Sequence, residues 1–211
     1  MYQNMTRNEL KIIKKIGKGK SGISFLAESP IGLVVLKEMH DEFIPYYQFN
    51  KNKVELELES YDLLSKYDFH IPKLIDYDIE KDYLIKEYIE GQTVTEKLIE
   101  APLEDNLLLK VLQLELMLKA DNINIDYFPS NFVIQDNTLF YIDYEHNLYS
   151  DEWNFSNWGI YYWLNREGMT NYMRTNDLSC INTPGTGKPL LTDKLEDVRN
   201  RLIKRFCSEF C

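Results

Sequence analysis

The stretch NINIDYFPSNFVIQDNTLFYIDYE, residues 122–145, decides how this chain is read. It sets Asp126 five positions ahead of Asn131 and places Asp143 at the end of the apolar run 138–142. Between them Phe132-Val133-Ile134 is strand-like, Gln135-Asp136-Asn137 is turn-like, and a second β-rich run follows, so the segment reads as loop, short hairpin, loop. The arms of a hairpin are antiparallel, which brings the flanking residues Asn131 and Asp143 out at the same end. An Asn and an Asp there suit Mg²⁺, which takes one or two protein oxygens and fills its shell with water and phosphate oxygens. Asp126, earlier on the same loop, is placed to accept a hydroxyl proton. Asp and Asn are also common wherever a chain reverses, and the local sequence alone leaves that alternative open.

With 211 residues the chain can bury a sizeable core in one or two small domains. Apolar residues make up 44% and charged residues 27%, the balance of a globular rather than a disordered protein. No apolar run is long enough to cross a bilayer and the N-terminus lacks a basic-then-apolar leader, so the chain reads as cytoplasmic with no membrane partner. A formal charge of −10 opposes a phosphate backbone and argues against nucleic acid as a partner. The same charge suits a solvated surface or a cationic substrate. Cys180, Cys207 and Cys211 form no CxxC pair, and His40, His70 and His146 are scattered. A disulfide framework and a zinc site are therefore not expected, and metal chemistry falls to Asp and Asn.

Residues 10–16 read as a strand, followed by Gly17-Lys18-Gly19-Lys20-Ser21-Gly22, a second strand at 23–27 and a third ending in Val34-Val35-Leu36-Lys37. A lone GxGxxG fits a plain hairpin turn as well as a ligand loop. Because a strand rather than a helix follows the glycines, a dinucleotide-binding unit is excluded. Residues 43–67 read as a helix with Leu56, Ser60, Leu63, Leu64 and Tyr67 on one face. A strand pair follows at 71–75 and 82–91, and past Gly91 the apolar period changes from 2 to 3.6, giving helices at 93–99 and 107–118. The expected division is 1–91, rich in strands, and 92–211, mainly helical. The stretch 182–189 is linker-like, and its Gly-Lys lacks the spacing and following Ser/Thr of a P-loop. The aromatic run 151–165 reads as a buried helix beneath the loop of Asp126 rather than a base-stacking surface. An amphipathic helix at 193–210 carries Leu195, Val198, Leu202, Ile203 and Phe206.

Asp-x-x-x-x-Asn, a hairpin and then Asp resembles the catalytic and metal-binding segments of the protein-kinase-like superfamily. Ile142-Asp143-Tyr144-Glu145 is closest to the aminoglycoside phosphotransferase and choline kinase branch. The glycine hairpin, Lys37 and a hinge-like strand ending at Gly91 follow in the family's order. The resemblance implies an α+β, two-lobed kinase-like fold, with a β-rich N-lobe holding one main helix and a small helical C-lobe. It implies an ATP- and Mg²⁺-dependent phosphotransferase acting on a hydroxyl acceptor, more a small molecule than a peptide because only 68 residues (211 − 143) follow Asp143. Gly17, Gly19 and Gly22 would admit the phosphates, Lys37 would hold them, and Glu59, preferred over Glu55, would hold Lys37. The backbone of Glu87, Tyr88 and Ile89 would meet the adenine edge, Asn131 and Asp143 would bind Mg²⁺, and Asp126 would act as base. Three positions depart from the family: Ser24 stands where Val is usual, Asn124 where His or Tyr is usual, and Phe128 where Lys or His is usual. These departures keep two alternatives in view: a pseudokinase serving as a nucleotide-sensing or protein-binding module, and a minimal atypical protein kinase of Rio type.

Overall fold

A computed structural model describes residues 5–42 and 49–210. The first part of the expected helical stretch, 43–48, lies outside the described residues. The chain divides into two compact units, Met1–Glu90 and Gly91–Cys211.

The first unit is built on a five-stranded antiparallel sheet. In chain order its strands are β1 (Lys11–Lys18), β2 (Gly22–Ser29), β3 (Gly32–Met39), β4 (Leu74–Asp78) and β5 (Tyr83–Glu87), and their spatial order is β1-β2-β3-β5-β4. The interior strands β3 and β5 are the most apolar, since both of their faces are covered. On one face Ala27, Val34, Leu36, Tyr83 and Ile85 pack with Met5 into a core cluster. The edge strand β1 is exposed along most of its length and carries Lys11, Lys14, Lys15 and Lys18, charges that discourage pairing with another chain. The β2–β3 turn is tight because Ser29 Oγ bridges it to the Gly32 carbonyl and Gly32 adopts φ +111°, a conformation that glycine takes at little cost.

Helix α1 (Lys53–Leu64) is the one long helix among the described residues of this unit. Asn52 caps it by accepting from the Val54 and Glu55 amides, and its Nδ2 donates to Asp82 Oδ1 at 2.8 Å. The start of the helix is thereby tied to the β4–β5 turn. Its buried residues are Val54, Glu57, Ser60 and Leu64; of the expected face Ser60 and Leu64 are buried, while Leu56, Leu63 and Tyr67 are half-buried.

The second unit is mainly helical. It holds α2 (Val94–Glu100), α3 (Asp105–Ala120), α4 (Ile160–Leu164), α5 (Arg166–Thr175) and α6 (Asp193–Phe210). Short strands β6 (Gln92–Thr93), β8 (Phe132–Gln135) and β9 (Thr138–Tyr141) form one small sheet, and β7 (Ile123–Asn124) pairs with β10 (Asn147–Leu148) in another. Gly91 is required where it stands, because a Cβ there would lie 2.2 Å from the Ile134 carbonyl oxygen. Thr93 and Glu96 form a reciprocal capping box at the start of α2. The expected aromatic helix at 151–165 is present in two parts, a π-turn at Phe155–Gly159 running into α4, with Phe155, Tyr162 and Trp163 buried. No helix among the described residues is long and apolar enough to cross a membrane.

Candidate active site

In the first unit Lys37 projects from β3 and is 7% exposed. Its Nζ lies 2.5 Å from Glu57 Oε1, and both side chains are less than a tenth accessible. The expected partner was Glu59, and the structure corrects this. Glu59 lies on the solvent side of α1, 2.6 Å from Lys51, while Glu55 is also exposed. Glu55 and Glu59 lie about 40° apart and share a face, while Glu57 lies on the opposite side of the helix, in the stripe that begins at Val54. The sequence offers a second stripe through Leu56 and Leu63, so only packing against the sheet picks out Glu57.

The glycine hairpin stands over the same carboxylate. Ser21 Oγ donates to Glu57 Oε1 at 3.1 Å, sharing the oxygen that Lys37 contacts. Gly22 is fixed by packing, since a Cβ there would lie 2.6 Å from the Glu38 carbonyl oxygen. The fold makes no such demand at Gly17 or Gly19. Neither has positive φ, the nearest atom to a Cβ on Gly17 is Ser24 Cβ at 4.0 Å, and nothing among the described residues comes within 4 Å of one on Gly19. Those two positions leave the backbone open to close approach, although the Gly19 amide itself donates to the Gly22 carbonyl at 2.9 Å.

At the end of β5 the Glu87 amide already donates to the Lys73 carbonyl at 2.9 Å, and Glu87 Oε2 accepts from the Lys73 amide. The Glu87 N–H is therefore already paired within the sheet. Just before it, Lys86 is 5% exposed. Lys86 pairs with Val35 across β3–β5, as Leu84 pairs with Lys37, so the two lysines rise from one face of the sheet. Lys86 went unremarked in the sequence because it sits inside an ordinary apolar strand.

In the second unit the 122–145 hairpin forms as its sequence suggests. Gln135 pairs with Thr138 around the two-residue turn Asp136-Asn137, whose φ values of +47° and +65° are those of a type I′ turn. At the open end the Ile142 amide donates to the Asn131 carbonyl at 2.8 Å, which sets Asn131 beside the residue preceding Asp143. Asn131 Nδ2 donates to the Asp126 carbonyl at 3.3 Å, committing the amide nitrogen inward. Asp126 Oδ1 accepts from the Phe128 amide at 3.0 Å. The β7–β10 pair, Asn147 opposite Asn124, closes the far side of both loops. Asp126, Asn131 and Asp143 are all half-buried.

The charges converge on a buried phenol. Burial, and then the carboxylates of Asp143, Glu145 and Asp126, hold Tyr141 well above its ordinary range. Tyr162 is also raised, by burial and then by Asp126. Both phenols therefore stay neutral beside the acidic groups. Among the described residues no group of three His, Cys, Asp or Glu is placed to hold a metal. Asn131 and Asp143 place one amide and one carboxylate side chain at the open end of the hairpin.

The loop carrying Asp126 rests on aromatic packing. Trp163 Nε1 donates to the Tyr127 carbonyl at 2.8 Å, and Phe132 and Phe155 meet the same indole at centroid distances of 5.1 and 5.4 Å. Gly159 permits the close seat, since a Cβ there would lie 2.6 Å from Tyr127 Cβ. Asn124 is 4% exposed and donates to the Trp153 carbonyl at 3.0 Å. Phe128 meets the Tyr162 ring edge-on at 5.1 Å.

No family model matches the chain, and no curated protein matches it. Among solved structures, a point mutant of the PknI kinase domain of Mycobacterium tuberculosis is similar with a TM-score of 0.47 and 16% identity. The similarity covers 67% of this chain and 61% of that one, so the chain spans less than two thirds of that kinase domain.

Proposed function

We propose that the chain is a two-lobed, ATP- and Mg²⁺-dependent phosphotransferase that moves the γ-phosphoryl group to a hydroxyl acceptor. The observation that carries this reading is the buried Lys37–Glu57 pair with Ser21 on the same carboxylate oxygen. A buried ion pair adds little to stability, because removing two charges from water costs about as much as their attraction returns. Its use lies in presenting an oriented ammonium to an anion, and the open glycines Gly17 and Gly19 beside it suit a polyphosphate.

Asn131 and Asp143 would hold Mg²⁺. When bound, the ion neutralises phosphate charge as the transferring group loosens. Asp126 orients the acceptor hydroxyl and takes its proton as the new O–P bond forms and the bond to the ADP oxygen breaks. Positioning and charge neutralisation supply most of such catalysis, which is why a half-buried base held by the Phe128 amide suffices. Only a strand of two residues and a turn separate Asp143 from the π-turn at Phe155, leaving little chain for a peptide platform and favouring a small acceptor.

A second reading is a pseudokinase. Phe128 favours it, since a ring packed on Tyr162 stands where the family carries a cation for the transferring phosphate.

Calorimetric titration with ATP, with and without Mg²⁺, on the wild type and Asp143→Ala tests both. Binding strengthened by Mg²⁺ in the wild type alone supports the enzyme; turnover of ATP against a panel of hydroxyl acceptors then separates it from the pseudokinase. No binding at millimolar ATP overturns the nucleotide site in either form.

A further inference from the structure

Resting on the phosphotransferase reading, we infer that the segment 40–42 is a clasp that holds the glycine hairpin in its phosphate-binding shape, with His40 as the positioning residue. The observations are three. The His40 amide donates to the Ser21 carbonyl at 3.2 Å, and its Nε2 lies 3.1 Å from the Gly19 carbonyl oxygen. Two residues on, Glu42 contacts Lys18 Nζ at 2.6 Å. From α1, Lys53 Nζ binds both the His40 carbonyl and Asp41 Oδ1, so the clasp is itself anchored.

The chemistry of the ring is settled by its neighbours. The Glu42 amide can only donate, and it points at His40 Nδ1 at 3.3 Å, so Nδ1 carries the lone pair. The Gly19 carbonyl can only accept, so Nε2 carries the proton. One imidazole thus joins the chain after β3 to the hairpin tip.

A hairpin of three glycines has the most backbone freedom of any segment, and a ligand that must order it loses affinity by that amount. The clasp and the Ser21–Glu57 bond order it beforehand. Ligands that touch the hairpin amides benefit, and ligands that lack phosphates do not.

The test is the ratio of ATP to adenosine affinity, measured by calorimetry on the wild type, His40→Ala and His40→Gln, with melting temperature as a check on folding. The expected result is an ATP affinity about tenfold weaker in His40→Ala, adenosine affinity unchanged, and recovery in His40→Gln, whose amide nitrogen reaches the Gly19 carbonyl. Equal loss for both ligands, or no loss for ATP, overturns the clasp while leaving the phosphotransferase reading intact. A wild type that binds neither ligand overturns both. Should His40→Ala fail to fold, hydrogen exchange at the Gly19–Gly22 amides is compared between wild type and His40→Leu, which cannot donate to the Gly19 carbonyl: faster exchange in the variant supports the clasp, and unchanged protection overturns it.

Discussion

Lys37 Nζ and the Ser21 hydroxyl both point at one oxygen, Glu57 Oε1, at 2.5 and 3.1 Å. The carboxylate therefore joins strand, hairpin and helix within the first unit. Replacing Glu57 by Ala leaves a buried ammonium without its counter-charge, and the expected cost is about 3 kcal/mol in urea unfolding. Glu59→Ala, at an exposed position, is expected to leave the unfolding midpoint unchanged. The reverse ranking would return the partner role to Glu59.

The glycines of the hairpin separate by function. Gly22→Ala forces a Cβ against the Glu38 carbonyl, and an expected destabilisation of about 1–3 kcal/mol follows from overpacking. Gly19→Ala meets nothing among the described residues, so its melting temperature should match the wild type while ATP binding weakens. Thermal melts paired with ATP titrations check both halves of this contrast.

Asp126→Asn retains the bond from the Phe128 amide but cannot take a proton. Phosphoryl transfer is expected to fall by about 10²–10⁴-fold with ATP affinity preserved. Steady-state turnover against a hydroxyl acceptor measures it, and an unaltered rate removes Asp126 as base.

Glu115 on α3 gives the protein a pH signature of its own. It is 6% exposed, and burial raises its carboxyl above the ordinary range against the lowering effect of hydrogen bonds from Ser156, with Lys119 and Tyr149 also lowering it. The folded state thus holds this proton more tightly than the unfolded state. Its contribution to stability is full below the ordinary Glu range and is lost as pH rises through the raised folded value. Glu115→Gln is expected to flatten that part of the stability–pH curve, as read from urea midpoints from about pH 4, near the ordinary Glu value, upward to about pH 8. A slope identical to that of the wild type would dismiss Glu115 as its source.

The hairpin of residues 132–141 was legible because its strands, turn and flanking residues are local, and left-handed Asp136 and Asn137 suit a two-residue turn. Lys37 was legible for the same reason, at the end of an apolar strand. Glu57 was not, because three glutamates at alternate positions in α1 give no amphipathic contrast, and only packing against the sheet decides which one turns inward. Glu87 shows the opposite limit. Its position was readable, but the loss of its amide to Lys73 depends on β4 approaching β5 with a register shift between Leu74 and Asp76. The support beneath Asp126 was visible as aromatic density at 151–165, whereas the particular bond from Trp163 to Tyr127 joins residues 36 apart in sequence.

That bond gives the molecule an optical gauge of its own. Trp163 is fully buried and tied to the backbone one residue from Asp126, while Trp153 is 39% exposed. Iodide reaches the second indole and not the first, so once the half-buried Trp158 is replaced by Phe the unquenched emission reports on the seat of the loop alone. A substrate that shifts this emission while leaving the quenchable fraction unchanged would register its arrival at Asp126 without label or coupled assay.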